Sequence, residues 1–246
     1  MPDVRWIGHA GLAGTRPGGA PSRTTLDGAV GLGLDLLEVD VCVTADGVLA
    51  LRHDDALPSG RPVSTVPLAE LRAVDADLLT IDDAVEHLAG RVPLLLDLKG
   101  SAAVTVLAGW LAERSPGPGF AVCTDDRAAL QHFRDRVPGV ARWRTLPAVG
   151  EGRGSRRRRI IAGLLRRWLP PRVRALAAEV GAVALSVDHW ALTAQLCRAA
   201  HDADLSVAAW TVNRPEHARR AQGCGADLIT SDRVAEMRAA LAHLSG

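Results

Sequence analysis

Leu36-Leu37-Glu38-Val39-Asp40-Val41-Cys42-Val43 is an apolar run interrupted only by two acids, two positions apart. Successive side chains of a strand point to opposite faces, so a strand here buries both faces in apolar surroundings and brings Glu38 and Asp40 out on the same one. Leu94-Leu95-Leu96-Asp97-Leu98-Lys99 repeats the pattern, with Asp97 and Lys99 sharing a face.

Working outward, further β-rich runs fall at Val4–His9, Val48–His53, Val92–Leu98, Phe120–Thr124, Val140–Trp143, Ala182–Val187, Ser206–Val212 and Asp227–Thr230. Helical patterns fall between them at Thr24–Gly33, Pro67–Val74, Ile81–Ala89, Ala102–Arg114, Arg127–Val137, Ile160–Leu169, Ala191–Asp204, Pro215–Gln222 and Val234–His243. Alternation of this kind predicts parallel pairing, and nine strands suit a (β/α)8 barrel with one extra strand, a single domain over residues 1–246. Asp46-Gly47 marks a hairpin, so the extra strand is one of its two arms. The competing open, doubly wound sheet would call for a glycine-rich phosphate turn after the first strand. Gly8-His9-Ala10-Gly11 does not supply one.

The chain has 246 residues, 48% hydrophobic and 23% charged, with a net charge of +1. Disorder and a uniformly basic nucleic-acid binder are therefore disfavoured. Cys42, Cys123, Cys197 and Cys224 form no CxxC pair, and neither a signal-peptide core nor a membrane-length apolar run is present. The expected location is cytoplasmic, with reduced thiols. Of the 29 basic residues, 28 are arginine and one is Lys99, which singles out a position where an ammonium serves better than a planar guanidinium.

Charged residues that interrupt barrel strands near their C-terminal ends are the candidates for chemistry. Glu38, Asp40 and Asp97 would repel one another unless a cation neutralised them, and hard oxygen ligands suit Mg²⁺ or Ca²⁺. Lys99 would then aim a second positive group at an anion, most simply a phosphate. The plain alternative is an internal ion pair with structural work only. His9 and His53 end two of the predicted strands and could divide proton transfer between them. The remaining histidines, His87, His132, His189, His201, His217 and His243, read as surface or packing residues.

These residues resemble a known family. Gly8-His9, Glu38-Val39-Asp40-Val41, Thr44 to Val48, His53-Asp54, Leu68-Ala69-Glu70-Leu71, Asp97-Leu98-Lys99, Trp210-Thr211-Val212-Asn213 and Gly225 to Asp232 are similar, in order and spacing, to the glycerophosphodiester phosphodiesterases. The resemblance implies a distorted TIM barrel and metal-dependent cleavage of a phosphodiester to an alcohol and glycerol 3-phosphate. By motif matching it implies that Glu38, Asp40 and Asp97 bind the metal and that His9 and His53 form the acid–base pair. Lys99 would steady the phosphate and Trp210 would form an apolar wall.

Several positions depart from the family pattern. Ala10 stands where arginine usually contacts phosphate, Pro21-Ser22-Arg23-Thr24 keeps only the ends of a Pro-Glu-Asn-Thr stretch, and the loop after His53 is shortened. Arg23 or Arg52 is a candidate to supply the missing charge. Asp97 in an Asp-Leu-Lys setting is also similar to the sphingomyelinase D branch. Cleavage of a lysophospholipid or sphingolipid, in a phospholipase D or sphingomyelinase D manner, is therefore the runner-up, with a non-catalytic phosphate-binding barrel as a third reading.

One segment differs in composition from the rest. Residues 142–174 hold eleven arginines and one acid, Glu151, and within them Ile160, Ile161, Leu164, Leu165 and Trp168 recur at helical spacing after the loop Gly150–Gly154. A basic amphipathic helix of this kind could touch an anionic membrane at about 1 kcal/mol per basic residue, cover the barrel mouth as a lid, form a partner-binding surface, or simply be a solvated barrel helix. No nucleic acid is expected as a partner, because no aromatic platform is interleaved with the arginines.

Overall fold

The computed structural model describes residues 4–14, 16–114, 119–149 and 155–242. The predicted loop Gly150–Gly154 and His243 lie outside the described residues. Among the described residues nine strands form: β1 Arg5–Gly8, β2 Leu36–Val43, β3 Leu49–Leu51, β4 Leu94–Leu98, β5 Phe120–Thr124, β6 Ala141–Thr145, β7 Ala184–Asp188, β8 Ser206–Trp210 and β9 Leu228–Ser231. Ten α-helices accompany them in the described residues: α1 Arg23–Gly31, α2 Leu68–Val74, α3 Ile81–Leu88, α4 Ala103–Glu113, α5 Arg127–Arg136, α6 Ser155–Trp168, α7 Val173–Ala178, α8 Ala194–His201, α9 Pro215–Cys224 and α10 Val234–Ala242.

The strand order β1-β9-β8-β7-β6-β5-β4-β2-β3 is closed by direct pairing of β1 with β2, at Ile7 opposite Leu36 and Gly8 opposite Leu37. Eight strands are parallel around a closed ring, a (β/α)8 TIM barrel, and closure rules out the open sheet. The extra strand is β3, antiparallel to β2 through the Asp46-Gly47 turn, where Gly47 takes φ +78.

Two apolar layers follow from period-two alternation. One face of each strand packs outward against helices, as Val39, Leu96, Val122, Leu185, Val207 and Ile229 do. The other face fills the barrel with Ile7, Leu95, Ala121, Cys123, Trp143, Ala184, Ala208 and Leu228. A smaller cluster of Ala20, Cys42, Ala50, Val63, Val66, Leu71 and Leu78 seats the hairpin.

Several boundaries differ from the sequence reading. His9 and His53 stand just beyond their strands, His9 opening a short 3-10 turn. Helix α6 begins at Ser155 rather than Ile160, and α7 is an element the periodicity did not reveal. Among the described residues no helix is long and apolar enough to cross a membrane.

Candidate active site

Because the eight strands are parallel, the inward positions one step past the barrel core all emerge at one end. Two residues beyond Ile7, Leu36, Leu95, Trp143, Ala184, Ala208 and Leu228 come His9, Glu38, Asp97, Thr145, Ser186, Trp210 and Thr230. All seven line a cavity of about 900 Å³ at the C-terminal mouth. Asp40, His53, Asp54, Lys99, Asp125, Arg158, Asp188, His189 and Trp190 line it as well.

On the β2–β4 side, Glu38, Asp40 and Asp97 each offer an oxygen, all within 4.8 Å of one another. Lys99 Nζ bridges Asp40 Oδ1 at 2.8 Å and Asp97 Oδ2 at 2.7 Å. Asp40 is 2% exposed, and its second oxygen, Oδ2, is buried without a hydrogen-bond partner among the described residues. Burial, followed by the charges of Asp40 and Asp97, pushes Glu38 up to about 8, although His9 and the Ala10 N–H oppose the rise. Burial likewise raises Asp97 against the pull of Lys99, while Lys99 is held charged because Asp97 and Asp40 outweigh its desolvation. Three acids with one cation and an orphaned buried oxygen fit a hard divalent ion.

A strained turn supports this cluster. Ala10, Gly11 and Leu12 all take positive φ, +47, +60 and +56, and the Ala10 N–H donates to Glu38 Oε2 at 2.7 Å. Non-glycine residues in this region cost about 1–2 kcal/mol each, so the fold spends stability to aim that N–H.

Each of the two predicted histidines carries a carboxylate on Nδ1. His9 Nδ1 lies 2.8 Å from Asp232 Oδ1, and Asp232 is held in turn by Asn213 Nδ2 at 2.5 Å. His53 Nδ1 lies 3.0 Å from Asp54 Oδ1, and its backbone N–H donates to Gly18 O at 3.0 Å. Gly19 is required beside it, since at φ +62 an added Cβ would sit 2.6 Å from His53 Cβ. Burial works against charging His9, but the Asp232 hydrogen bond and the charges of Glu38, Asp232 and Asp40 prevail and lift it to about 9. Asp232 and Asn213 lay inside motifs quoted from the sequence, yet nothing there assigned them this orienting work.

The candidates for the missing phosphate arginine do not reach the cavity. Arg52 is buried under Gly18, donating Nε–H to Asp54 O at 2.9 Å, and Arg23 is drawn to α3, 3.8 Å from Asp83. Arg158 lines the cavity instead, from α6, with its guanidinium 5.5 Å from the centre of the Trp190 ring. Ser22 caps α1, its hydroxyl accepting from the Thr25 N–H while Thr25 Oγ1 accepts from the Ser22 N–H.

His189, read from sequence as a packing residue, also lines the cavity, stacked 4.5 Å from His217. Burial lowers its pKa from 6.5, with His217 and Arg220 adding to the fall against the Trp210 carbonyl and Asp188. As the pH drops the unfolded chain takes this proton first, so the stabilisation is complete above 6.5 and is lost as pH falls through the depressed value. His189→Gln is expected to show a smaller drop in Tm than the native chain between about pH 7 and about pH 5. Equal drops in thermal melts would show that another group sets the acid sensitivity.

The model of the glycerophosphoryl diester phosphodiesterase family matches residues 9–137 and 148–236. Among solved structures, a candidate glycerophosphoryl diester phosphodiesterase of Silicibacter pomeroyi is similar, at 24% identity and TM-score 0.78 over 98% of this chain and 94% of its own. A phosphodiesterase of Oleispira antarctica in complex with the product sn-glycerol-3-phosphate is 20% identical, with TM-score 0.76 and 96% of each chain covered. A glycerophosphodiester phosphodiesterase of Parabacteroides distasonis is 19% identical, with TM-score 0.76 over 99% of this chain and 98% of its own. Comparison with the curated proteins gave no significant match. The family match takes in His9, Glu38, Asp40, His53, Asp97, Lys99, Trp210 and Asp232, and the chain therefore belongs to the glycerophosphoryl diester phosphodiesterase family, a family of phosphoric diester hydrolases.

Proposed function

We propose that the barrel hydrolyses a glycerophosphodiester to an alcohol and glycerol 3-phosphate, with a divalent cation, Mg²⁺ or Ca²⁺, held by Glu38, Asp40 and Asp97. The observation that carries this reading is the three-carboxylate cluster, with its orphaned Asp40 oxygen, set beside two histidines that each present a carboxylate-backed imidazole. A cation bound there supplies positive charge for the phosphate oxygens. The chain's own residues do the rest. With Nδ1 of His9 and of His53 committed to Asp232 and Asp54, Nε2 is the nitrogen left to each for proton transfer. One imidazole accepts a proton from the attacking water as its oxygen bonds to phosphorus, and the other protonates the alkoxide that leaves as the P–O bond breaks, so that water and diester give the alcohol and glycerol 3-phosphate. Lys99 places a permanent ammonium at the same rim, and Trp210 contributes an apolar wall to the cavity.

The product held by the Oleispira antarctica relative supports glycerol 3-phosphate as the product here. A second reading, cleavage of a lysophospholipid or sphingolipid diester, is favoured by Trp190 and Trp210, which together give the cavity two large aromatic walls. The deciding measurement is alcohol release from glycerophosphocholine, glycerophosphoethanolamine, lysophosphatidylcholine and sphingomyelin, with Mg²⁺, with Ca²⁺ and with EDTA. Metal-dependent release that EDTA abolishes is expected, and the preferred substrate separates the headgroup diester from the lipid. Metal binding without cleavage of any member would overturn catalysis in favour of a phosphate-binding barrel.

A further inference from the structure

Helix α6 has two unlike faces. Its inner face carries Arg158, Ile161, Ala162, Leu165 and Arg166, all wholly or partly buried, at the i, i+3, i+4, i+7, i+8 spacing of one helix side. Arg166 donates Nε–H to Trp190 O at 2.8 Å, and Arg158 stands over the ring of the same tryptophan. Those two arginines are eight residues apart, about 12 Å of helix. Both contacts fall on the cavity-lining Trp190, and Arg158 lines the cavity itself, so the Arg158 end of α6 stands at the mouth.

The outer face is different. Ile160, Leu164 and Trp168, four residues apart in a single row, are 57%, 64% and 41% exposed. Elsewhere among the described residues only Val74 and Val183 are large, apolar and exposed, and they stand on other elements. Arg156, Arg157, Arg159 and Arg167 are exposed around the row. Arg172 stacks 4.9 Å from the centre of the Trp168 ring and donates to the Trp168 carbonyl at 3.0 Å. No acidic residue occurs between Ser155 and Ala178.

Single exposed apolar residues need no explanation, but an aligned row beside the active-site mouth does. Its chemistry selects the occupant. A second copy of the chain would bring arginines against arginines in a self-complementary contact. A nucleic acid would use the charge and leave the aliphatic row in water. A bilayer with anionic headgroups uses both: the aliphatic row enters the acyl boundary, the tryptophan sits at headgroup level, and the arginines meet phosphates.

We propose that the outer face of α6 docks on an anionic lipid bilayer and holds the cavity mouth at its surface, so that diesters presented by the membrane are within reach. Only that last clause rests on the reading of the barrel as a diester hydrolase. The test is co-sedimentation with vesicles of phosphatidylcholine, with and without phosphatidylglycerol. Binding at least tenfold stronger to the anionic vesicles is expected, weakening as salt is raised. The triple variant Ile160→Ser, Leu164→Ser, Trp168→Ser is expected to lose it while keeping its thermal melt and its turnover of soluble glycerophosphocholine. Arg156→Gln, Arg157→Gln, Arg159→Gln is expected to lose the preference for anionic lipid. Absence of binding, equal binding to both vesicles, or binding undiminished in the serine variant would overturn the proposal. So would a native dimer that the serine variant converts to a monomer. Vesicle binding reads out without catalysis, so an inactive chain that docks would sink the hydrolase reading alone, and an active chain that does not dock would sink this one alone.

Discussion

Replacing His53 by alanine is expected to lower kcat by about 10²–10⁴-fold, and His9→Ala to do the same, because each removes one half of a general acid–base pair. Calorimetric titration with Mg²⁺ or Ca²⁺ is expected to give nearly the native affinity for both variants, since neither imidazole belongs to the three-carboxylate cluster. Two routes to inactivity are thereby separated. Loss of turnover with loss of metal affinity would mean that the histidines hold the cluster together, and retention of full activity in both variants would remove them from the chemistry. The positioning carboxylates give a graded control. Asp232→Asn keeps the shape while removing the charge beside His9 Nδ1, so it is expected to slow turnover less than His9→Ala. An equal loss would mean that the carboxylate is needed as much as the imidazole.

Lys99→Met is expected to cost about 3 kcal/mol of stability in the metal-free protein at neutral pH, the lower end of the range for breaking a buried ion pair. The lower end applies because Lys99 is itself 24% exposed. Its ammonium is the counter-charge for Asp40 and Asp97 at 2.8 and 2.7 Å, and among the described residues the other oxygen of Asp40 has no hydrogen-bond partner to fall back on. Methionine keeps the length and apolar stem but leaves both acids facing each other. The deficit should narrow as the pH is lowered, when the Glu38–Asp40–Asp97 cluster can take up a proton instead. It should also narrow when Mg²⁺ is added, because the ion restores the missing charge. Urea unfolding of native and variant chains, with and without Mg²⁺, checks each point. A variant as stable as the native chain would show that Lys99 contributes nothing to holding the acids.

Much of this architecture could be read in the sequence because barrel strands write their geometry plainly. Glu38, Asp40, Asp97 and Lys99 stood out since charges are rare inside double-sided apolar runs, and the same parity brought His9 and Trp210 to the mouth. Arg52 was missed because the alternation stops short of it. β3 ends at Leu51, and the chain then bends at His53, which turns that imidazole to the cavity and leaves the Arg52 guanidinium packed against Gly18. Arg158 was hidden by its neighbours, since in Arg156-Arg157-Arg158-Arg159 nothing distinguishes the inward arginine until the helix is seen to start at Ser155. Helix α7 is six residues long, too short for a 3.6-residue period to declare itself. His189 follows the end of β7, a position set by closure of the ring rather than by its flanking residues.

That closure has a consequence for the order in which the chain comes into being. His9 and Asp232 are 223 positions apart, and β1 pairs with β9 as well as β2. During synthesis the imidazole emerges among the first residues and its carboxylate among the last. Contacts of such sequence separation form only after the intervening chain has given up its freedom. A form long enough to include β4 but lacking β9 has the strands that carry Glu38, Asp40, Asp97 and Lys99, yet it lacks the carboxylate that orients His9. The acidic cluster can be assembled early while proton transfer waits for the ring, and a barrel whose seam has opened would lose its chemistry before it loses its charge.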